Sequence, residues 1–541
     1  MNQASTFAAS FASNVDTQLS RWLGAIPILI PILQRLNVVS IINRYCPSNA
    51  DVNEGYSSAV SGEKGTVALV MILNRLMSPR PLYKVAEWMT ETVLNETLGI
   101  SPDKFHDRRL GDLLDNIHSH IDNIWKDIVH QAIREYGISL DFIHYDITSL
   151  YFEGVYEDED LVDYGYSRDK KSECKQVNLR LNITDEDGIP LSFKVINGST
   201  ADRTTPIENM KALRDLLDNM PGSDDIIIIS DQAMLDRDVI IQYHQQNIGY
   251  LGPLPACNDY EQVLMSVPLS QLKKHPLKYR PKNQKEDEPS IYYGVLSKVS
   301  ICGKKVEGTV ESQVLILYST NKAKLDADKR TTLLERYLES LEKISRQINQ
   351  LKYKKKAYTQ SQIDKVGSKY VSVCHLVDIQ LSGADGQLTL SYNVNADELE
   401  LAKERDGRYL LATNRPLSEE EMLGHFKRQD KIEKHIHAIK GPIRIRPMFL
   451  HNQERLESLV FICMVALLVY SILEMVSKRE NIIMTGEKIL KQFQTPVVVY
   501  TIFKDGSIWK QVAPLTEFQS KFIEKLGLPD PVIYLEHVKL E

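Results

Sequence analysis

The chain has 541 residues, 43% of them hydrophobic and 25% charged, the balance of a globular protein with several domains and a large core. Its net charge of −7 gives no uniformly basic surface for nucleic acid, although local clusters of bases can still steer a polyanion. The six cysteines, Cys46, Cys174, Cys257, Cys302, Cys374 and Cys463, include no CxxC pair, which argues against a structural zinc site or a disulfide framework and fits a reducing cytoplasm.

The opening MNQASTFAASFASNVD lacks a basic region followed by an apolar core, so it does not read as a secretory signal. Residues 1–140 read as a helical region. Leu23 to Leu36 is strongly apolar but broken by Pro27 and Pro31. Helices are expected at Gly65 to Met77, Leu82 to Leu98 and Ile117 to Tyr136. The break Ser78-Pro79-Arg80-Pro81 between two of them suits a DNA-reading helix pair, or simple packing of a helical hairpin.

At residue 141 the texture changes. DFIHYDITSLYFEG, from Asp141 to Gly154, is rich in β-branched and aromatic residues and alternates at Phe142, His144, Asp146 and Thr148. Gln176 to Thr184 alternates cleanly, and after the turn Asp185-Glu186-Asp187-Gly188 comes a third strand, Leu191 to Asn197. This is an antiparallel meander. Pro206 to Met220 is a helix, and DDIIIIS, Asp224 to Ser230, has the continuous apolar run of a buried parallel strand. A helix at Asp236 to Gln246 and a strand at Ile248 to Leu254 complete a β-β-β-α-β-α-β core over 141–254.

Residues 255–415 interrupt that rhythm as an inserted β-rich subdomain. A basic loop spans Lys273 to Lys285, and strands are expected around Ser290 to Thr320, Leu388 to Val394 and Tyr409 to Thr413. Between them Leu334, Tyr337, Leu341, Ile344, Ile348 and Leu351 alternate spacings of three and four, predicting a long coiled-coil-like helical arm over about 326–358 with a basic tip at Lys352 to Lys356. Residues 416–480 return to the core, with a helix over Ser418 to Lys440 opened by a Ser418/Glu421 capping box and a buried apolar helix over Asn452 to Val476. Residues 481–541 form a small mixed C-terminal element.

Three carboxylates carry the chemistry. Asp146 sits within a strand, where a charge needs a partner or a metal. Asp231 follows the apolar strand directly, at the carboxyl end where open α/β sheets collect ligands. Glu433 lies among Lys427, Arg428, Lys431, Lys434, Lys440, Arg444 and Arg446, and helical spacing puts Lys440 on its face, seven residues on. Gathered together, three acids repel one another unless cations compensate, and hard divalent ions such as Mg²⁺ or Mn²⁺ do so. Taken singly, Asp146 is equally a polar strand-edge residue, Asp231 a helix cap and the Glu433 stretch a solvated amphipathic helix.

These segments resemble the DD-E transposases of bacterial and archaeal insertion sequences, in the group whose RNase H-like core carries a β-rich insertion before the last acid. YDITSLYFEG and IIIISDQAM are similar to that family's first two acid motifs. The third motif, Tyr, two residues, Arg, three residues, Glu, six residues, Lys, falls on Phe426, Gln429, Glu433 and Lys440; the Glu-to-Lys spacing agrees and the first two positions differ. IRPMFLHNQERLESLVFICMVALL and, more loosely, IPILIPILQRLNVVSIINRYCP resemble the same group. The resemblance implies an α/β protein with an RNase H-like mixed-sheet core, a helical N-terminal region suited to binding DNA ends, and Asp146, Asp231 and Glu433 as catalytic residues and ligands of two Mg²⁺ or Mn²⁺ ions. It implies cleavage at the ends of an insertion sequence and joining of the 3′-hydroxyl to target DNA, by phosphodiester hydrolysis and transesterification. Arg428, Gln429, Lys434, Lys440, Arg444 and Arg446 would contact DNA, and the partners would be double-stranded DNA (terminal inverted repeats and target) and a second copy of the chain, without a membrane, in the cytoplasm and on the nucleoid when DNA is bound. A metal-dependent nuclease on the same core and an inactive DNA-binding derivative are the alternatives.

Overall fold

The structure is a computed structural model that describes residues 14–47, 64–152, 161–166, 171, 173–255, 258–279, 290–445 and 452–539. It is a mixed α/β protein that divides into two compact units, 1–229 with 428–541, and 230–427.

The first unit begins with an unexpected strand, β1 (Val15–Trp22). The helices α1 (Ile26–Arg35), α2 (Val38–Tyr45) and α3 (Lys64–Met77) follow. The prolines expected to break α1 do not end it: Pro27 occupies the first turn, where its missing N–H costs nothing, and Pro31 lies inside a wholly buried stretch whose packing offsets the missing hydrogen bond. The single helix expected over 82–98 is instead α4 (Val85–Thr90) and α5 (Leu94–Leu98). The intervening backbone is drawn out to β1, with Trp22 N–H donating to Glu91 O (2.8 Å) and Val93 N–H to Trp22 O (3.2 Å). The helices α6 (Asp107–His118) and α7 (Ile121–Tyr136) lead into the sheet.

That sheet follows the expected order. β2 (Phe142–Tyr151), β3 (Gln176–Thr184) and β4 (Pro190–Asn197) are antiparallel neighbours. After α8 (Pro206–Leu217), the short β5 (Ile227–Ile229) lies parallel to β2 on its other edge, pairing Phe142 with Ile227 and His144 with Ile229. β3 is buried along its whole length.

The second unit carries α9 (Arg237–Gln245), β6 (Gly249–Pro253), α10 (Asn258–Met265), α11 (Leu269–Leu272), β7 (Tyr292–Cys302) and β8 (Thr309–Ser319). Next come α12 (Thr320–Gln347), α13 (Lys356–Lys369), β9 (Val377–Ser382), β10 (Thr389–Val394), α14 (Ala396–Arg405), β11 (Arg408–Thr413) and α15 (Glu419–Lys427). Here the expected boundary at 254/255 is corrected. β11 pairs with β6 on one side and β8 on the other, and β8 pairs with β7, so strands on both sides of that boundary form one antiparallel sheet. The arm also differs from the expected coiled coil. α12 ends at Gln347, and its Tyr337, Leu341 and Ile344 are buried against Ile363 of α13 and Val373, Leu376 and Val377 beside the β9–β10 ribbon. Each such burial is worth roughly 2 kcal/mol. The heptad pattern is real; its partner is a local hairpin.

The helix expected over 418–440 is two helices. The Ser418/Glu421 capping box opens α15, with Glu421 Oε2 accepting from Ser418 N–H (2.8 Å) and Ser418 Oγ from Glu421 N–H (3.3 Å). The chain then breaks at Arg428-Gln429, where the units divide, and α16 (Asp430–Lys440) belongs to the first unit. There α17 (Gln453–Arg479) is the core helix. It is long and apolar enough to cross a membrane by length and composition, but 89% of its apolar window is buried inside the protein, against α1, α3, α6 and β4 among others. Its serines are satisfied internally, Ser471 Oγ donating to Leu467 O (2.8 Å) and Ser477 Oγ to Leu473 O (2.6 Å). After α18 (Gly486–Gln492), β12 (Val497–Phe503) and β13 (Ile508–Val512) form a sheet completed by β1, so the C-terminal element is built with the N-terminal strand; α19 (Glu517–Lys525) follows.

Candidate active site

Strand alternation puts His144, Asp146 and Thr148 on one face of β2 and Tyr145 and Ile147 on the other. Tyr145 and Ile147 are buried and Asp146 is half-buried. Its Oδ1 accepts from the N–H of Ile147 (2.7 Å). Asp231, in the second unit, is half-buried and caps the short 3₁₀ turn Gln232–Met234, with Oδ1 accepting from Ala233 N–H (3.0 Å) and Met234 N–H (3.2 Å). Glu433 lies in the first turn of α16 and is exposed. α16 packs against β2, bringing together the elements that carry Glu433 and Asp146. Three oxygen-donor carboxylates suit a hard divalent cation by chemistry. Among the described residues, however, no three His, Cys, Asp or Glu side chains are gathered as a metal-holding group.

What the structure gathers instead is a charged knot around the turn Asp185–Gly188 in the first unit. The buried Asp185 carboxylate takes a hydrogen bond from His144 Nε2 (2.7 Å) and pairs with the guanidinium of Arg428. Lys431 Nζ donates to the carbonyls of Asp185 and Glu186. Asp187 faces Lys478 (3.4 Å) and Arg479 (3.8 Å) at the end of α17. Gly188 has φ +69°, and a Cβ there would lie 2.5 Å from Cε1 of His435. Burial holds the Lys431 ammonium down to about 8, against the raising pull of Asp185. Burial also holds the His435 imidazole down to about 4, while its Nδ1 bonds to the Lys431 carbonyl (2.8 Å). The turn between β3 and β4 therefore clamps α16 onto β2. Sequence reasoning finds only a turn there. The readable signal is DEDG opposite a basic helix, with His144 two residues before Asp146.

The bases expected to meet DNA are unequally placed. Arg428 is committed to Asp185, and Lys434 pairs with Asp430 one helical turn away (2.6 Å). Gln429 precedes α16 without a side-chain capping bond. Lys440 ends α16, two turns along the Glu433 face, and is half-buried. Arg444 is exposed at φ +51°; its carbonyl accepts from Arg75 (3.4 Å). Arg446 lies outside the described residues. Arg444 also lines a cleft of about 750 Å³ with Arg80, His437 and Lys491.

Residues 20–130 match the model of a domain of unknown function, DUF4277, about a fifth of the chain. No curated protein matches. Among solved structures, the chain is similar to a piggyBac transposase in a synaptic complex with hairpin DNA, at 9% identity over 86% of this chain and 79% of that one, with a TM-score of 0.40. It is also similar to a Mos1 transposase paired-end complex with the left transposon end, at 12% identity over 40% and 65% of the chains. A Mos1 mariner paired-end complex with Mn aligns at 12% over 42% and 68%. Both Mos1 alignments have TM-scores of 0.16, and at these scores none of the likenesses defines the fold or the activity.

Proposed function

We propose that the protein is a DNA transposase of the DD-E class on an RNase H-like core, cutting the ends of its own element and joining the 3′-hydroxyl to target DNA. The observation that carries this reading is the strand pairing in the first unit: three antiparallel strands followed by a fourth parallel to the first. The register adds to it: His144, two residues before Asp146, pairs with Ile229 at the end of β5. Asp146, Asp231 and Glu433 would be the ligands of two Mg²⁺ or Mn²⁺ ions. When bound, such ions activate a water or 3′-hydroxyl and stabilise the leaving oxygen of a phosphodiester. The protein's own bases then position DNA. Lys440 and Arg444 would meet phosphate, Arg428 and Lys431 hold the Glu433 helix in place, and two copies of the chain would pair two DNA ends.

The test is cleavage of a duplex containing the DNA that flanks the gene, with and without Mg²⁺, for wild type, Asp146→Asn and Glu433→Gln. Metal-dependent nicking by wild type, reduced at least about a thousandfold in both variants, is expected if each acid stabilises charge only in the transition state. Wild-type cleavage that persists in either variant would remove the three-carboxylate assignment.

A further inference from the structure

Seven residues other than glycine have positive φ among the described residues, and five of them are asparagines, a residue type that tolerates this conformation. Leu351 and Arg444 are the other two. Leu351 has φ +41° and is 91% exposed, so neither local backbone preference nor burial accounts for a leucine there. It stands on the turn between α12 and α13, directly before Lys352, Lys354, Lys355 and Lys356, which flank the half-buried Tyr353. None of these four ammonium groups has an ion-pair or hydrogen-bond partner among the described residues.

The turn is held firmly beneath them. Asn349 exchanges two hydrogen bonds with the backbone of Leu388, donating to its carbonyl (3.0 Å) and accepting from its N–H (2.8 Å). Gly386 N–H donates to Lys354 O (2.8 Å), and Asp385 accepts from Lys356 N–H (2.9 Å). Thr359 Oγ1 donates to the Tyr353 carbonyl (3.1 Å), and the Tyr353 and Tyr358 rings meet edge to face at 5.2 Å. A stiff tip thus presents one exposed apolar side chain followed directly by four lysines without ion-pair partners among the described residues, with Asp385 the acid beside them, on a chain whose net charge is −7.

We propose that this tip binds double-stranded DNA, the four lysines holding phosphates and Leu351 wedging into a base step. Apolar side chains inserted from a basic surface unstack and kink duplexes in this way, and flexible pyrimidine–purine steps yield most readily. The proposal rests on the reading of the protein as a DNA-processing enzyme, but not on its catalytic acids.

The test uses the full-length protein and a short duplex of repeated TA steps containing 2-aminopurine, whose fluorescence rises when its base unstacks. Wild type should bind with a strong salt dependence and raise the fluorescence. Replacing all four lysines by alanine should lower the slope of log affinity against log salt by about 3.6, at about 0.9 for each phosphate no longer neutralised. Leu351→Ala should keep that slope and abolish the fluorescence rise. A wild-type slope in the quadruple variant, an undiminished rise in Leu351→Ala, or preference for anionic phospholipid vesicles over the duplex would each overturn the proposal. The assay omits divalent metal and reads binding and unstacking alone, whereas the catalytic assignment is read as nicking in Mg²⁺, so a failed tip and a failed catalytic assignment give different results.

Discussion

Two basic stretches look alike in the sequence and are opposites in the structure. Arg428 to Lys440 and Lys352 to Lys356 both read as lysine- and arginine-rich runs on or beside helices. In the first, Arg428 is paired with buried Asp185, Lys431 is tied to two carbonyls, and Lys434 faces Asp430. In the second, four lysines project from a stiff turn without a side-chain partner among the described residues. Charge density along a chain therefore does not say which charges are available to a ligand. That depends on acids brought in from elsewhere, here the Asp185–Asp187 turn, with Asp185 lying 243 residues before Arg428.

The contrast breaks most readily at Asp185. Its carboxylate is 5% exposed and compensates both His144 and Arg428. Asp185→Ala should cost about 1–3 kcal/mol, because it leaves the buried His144 donor unmatched while the 45% exposed Arg428 turns to water. Urea unfolding would show a large fall in midpoint. Replacing the tip lysines should change stability by less than about 0.5 kcal/mol for each one taken singly, as solvated surface substitutions do. Destabilisation by any one of them equal to that of Asp185→Ala would mean that the tip is structural after all.

The next effect is on pH dependence. His435 is buried, and its imidazole is held down to about 4 from an ordinary value of 6.5. The folded state therefore keeps it neutral where the unfolded chain binds a proton. Stability is fully present above about 6.5 and falls as pH drops from there toward 4, by up to about 3 kcal/mol. His435→Gln should flatten that acid limb in unfolding measurements at pH 4.5 and 7. Lys431 acts in a different window. Its value of about 8 lies below the ordinary 10.5, so the cost of burying its charge is relieved as pH rises from 8 to 10.5. A variant profile with the wild-type slope between pH 4 and 6.5 would show that His435 is not the group that titrates.

Much of the central architecture is legible in the sequence because periodicity reports burial. The β2–β3–β4 meander, β5 and α9 fall where alternation and apolar runs put them. The misses have physical causes. β1 is invisible because VDTQLSRW gains its order only by pairing with β12, nearly 500 residues away. The break at Arg428-Gln429 leaves no composition signal, since both flanks are good helix formers. The arm's apolar seam is recognisable, but a seam does not name its partner, and α13 with the β9–β10 ribbon supplies it. At the candidate site the acids can be named from their settings, whereas the knot at Asp185 needs the tertiary fold to join β2, the β3–β4 turn, α16 and α17. Asp231 shows the capping one of its two sequence readings, its Oδ1 accepting from the N–H groups of Ala233 and Met234.

The smallest effect separates two lysines of α16 itself. Lys434 and Asp430 are both more than half exposed and lie 2.6 Å apart at i,i+4, a pair worth about 0.3–0.5 kcal/mol. Lys440 lies two turns beyond Glu433 on the same face. Either alanine substitution should change stability by no more than about 0.5 kcal/mol. Their effects on DNA binding should differ. Removal of Lys440, if it meets a phosphate beside the acids, lowers the salt slope by about 0.9. Removal of Lys434 lowers it by less, because Asp430 already neutralises much of that charge and is left behind as an uncompensated acid, which weakens binding without releasing a full counterion fewer. The measurement is affinity for the flanking-DNA duplex across a salt series, with Asp430→Asn alongside Lys434→Ala. If Asp430→Asn leaves the wild-type slope unchanged and Lys434→Ala lowers it as much as Lys440→Ala does, the helix pair is not screening Lys434.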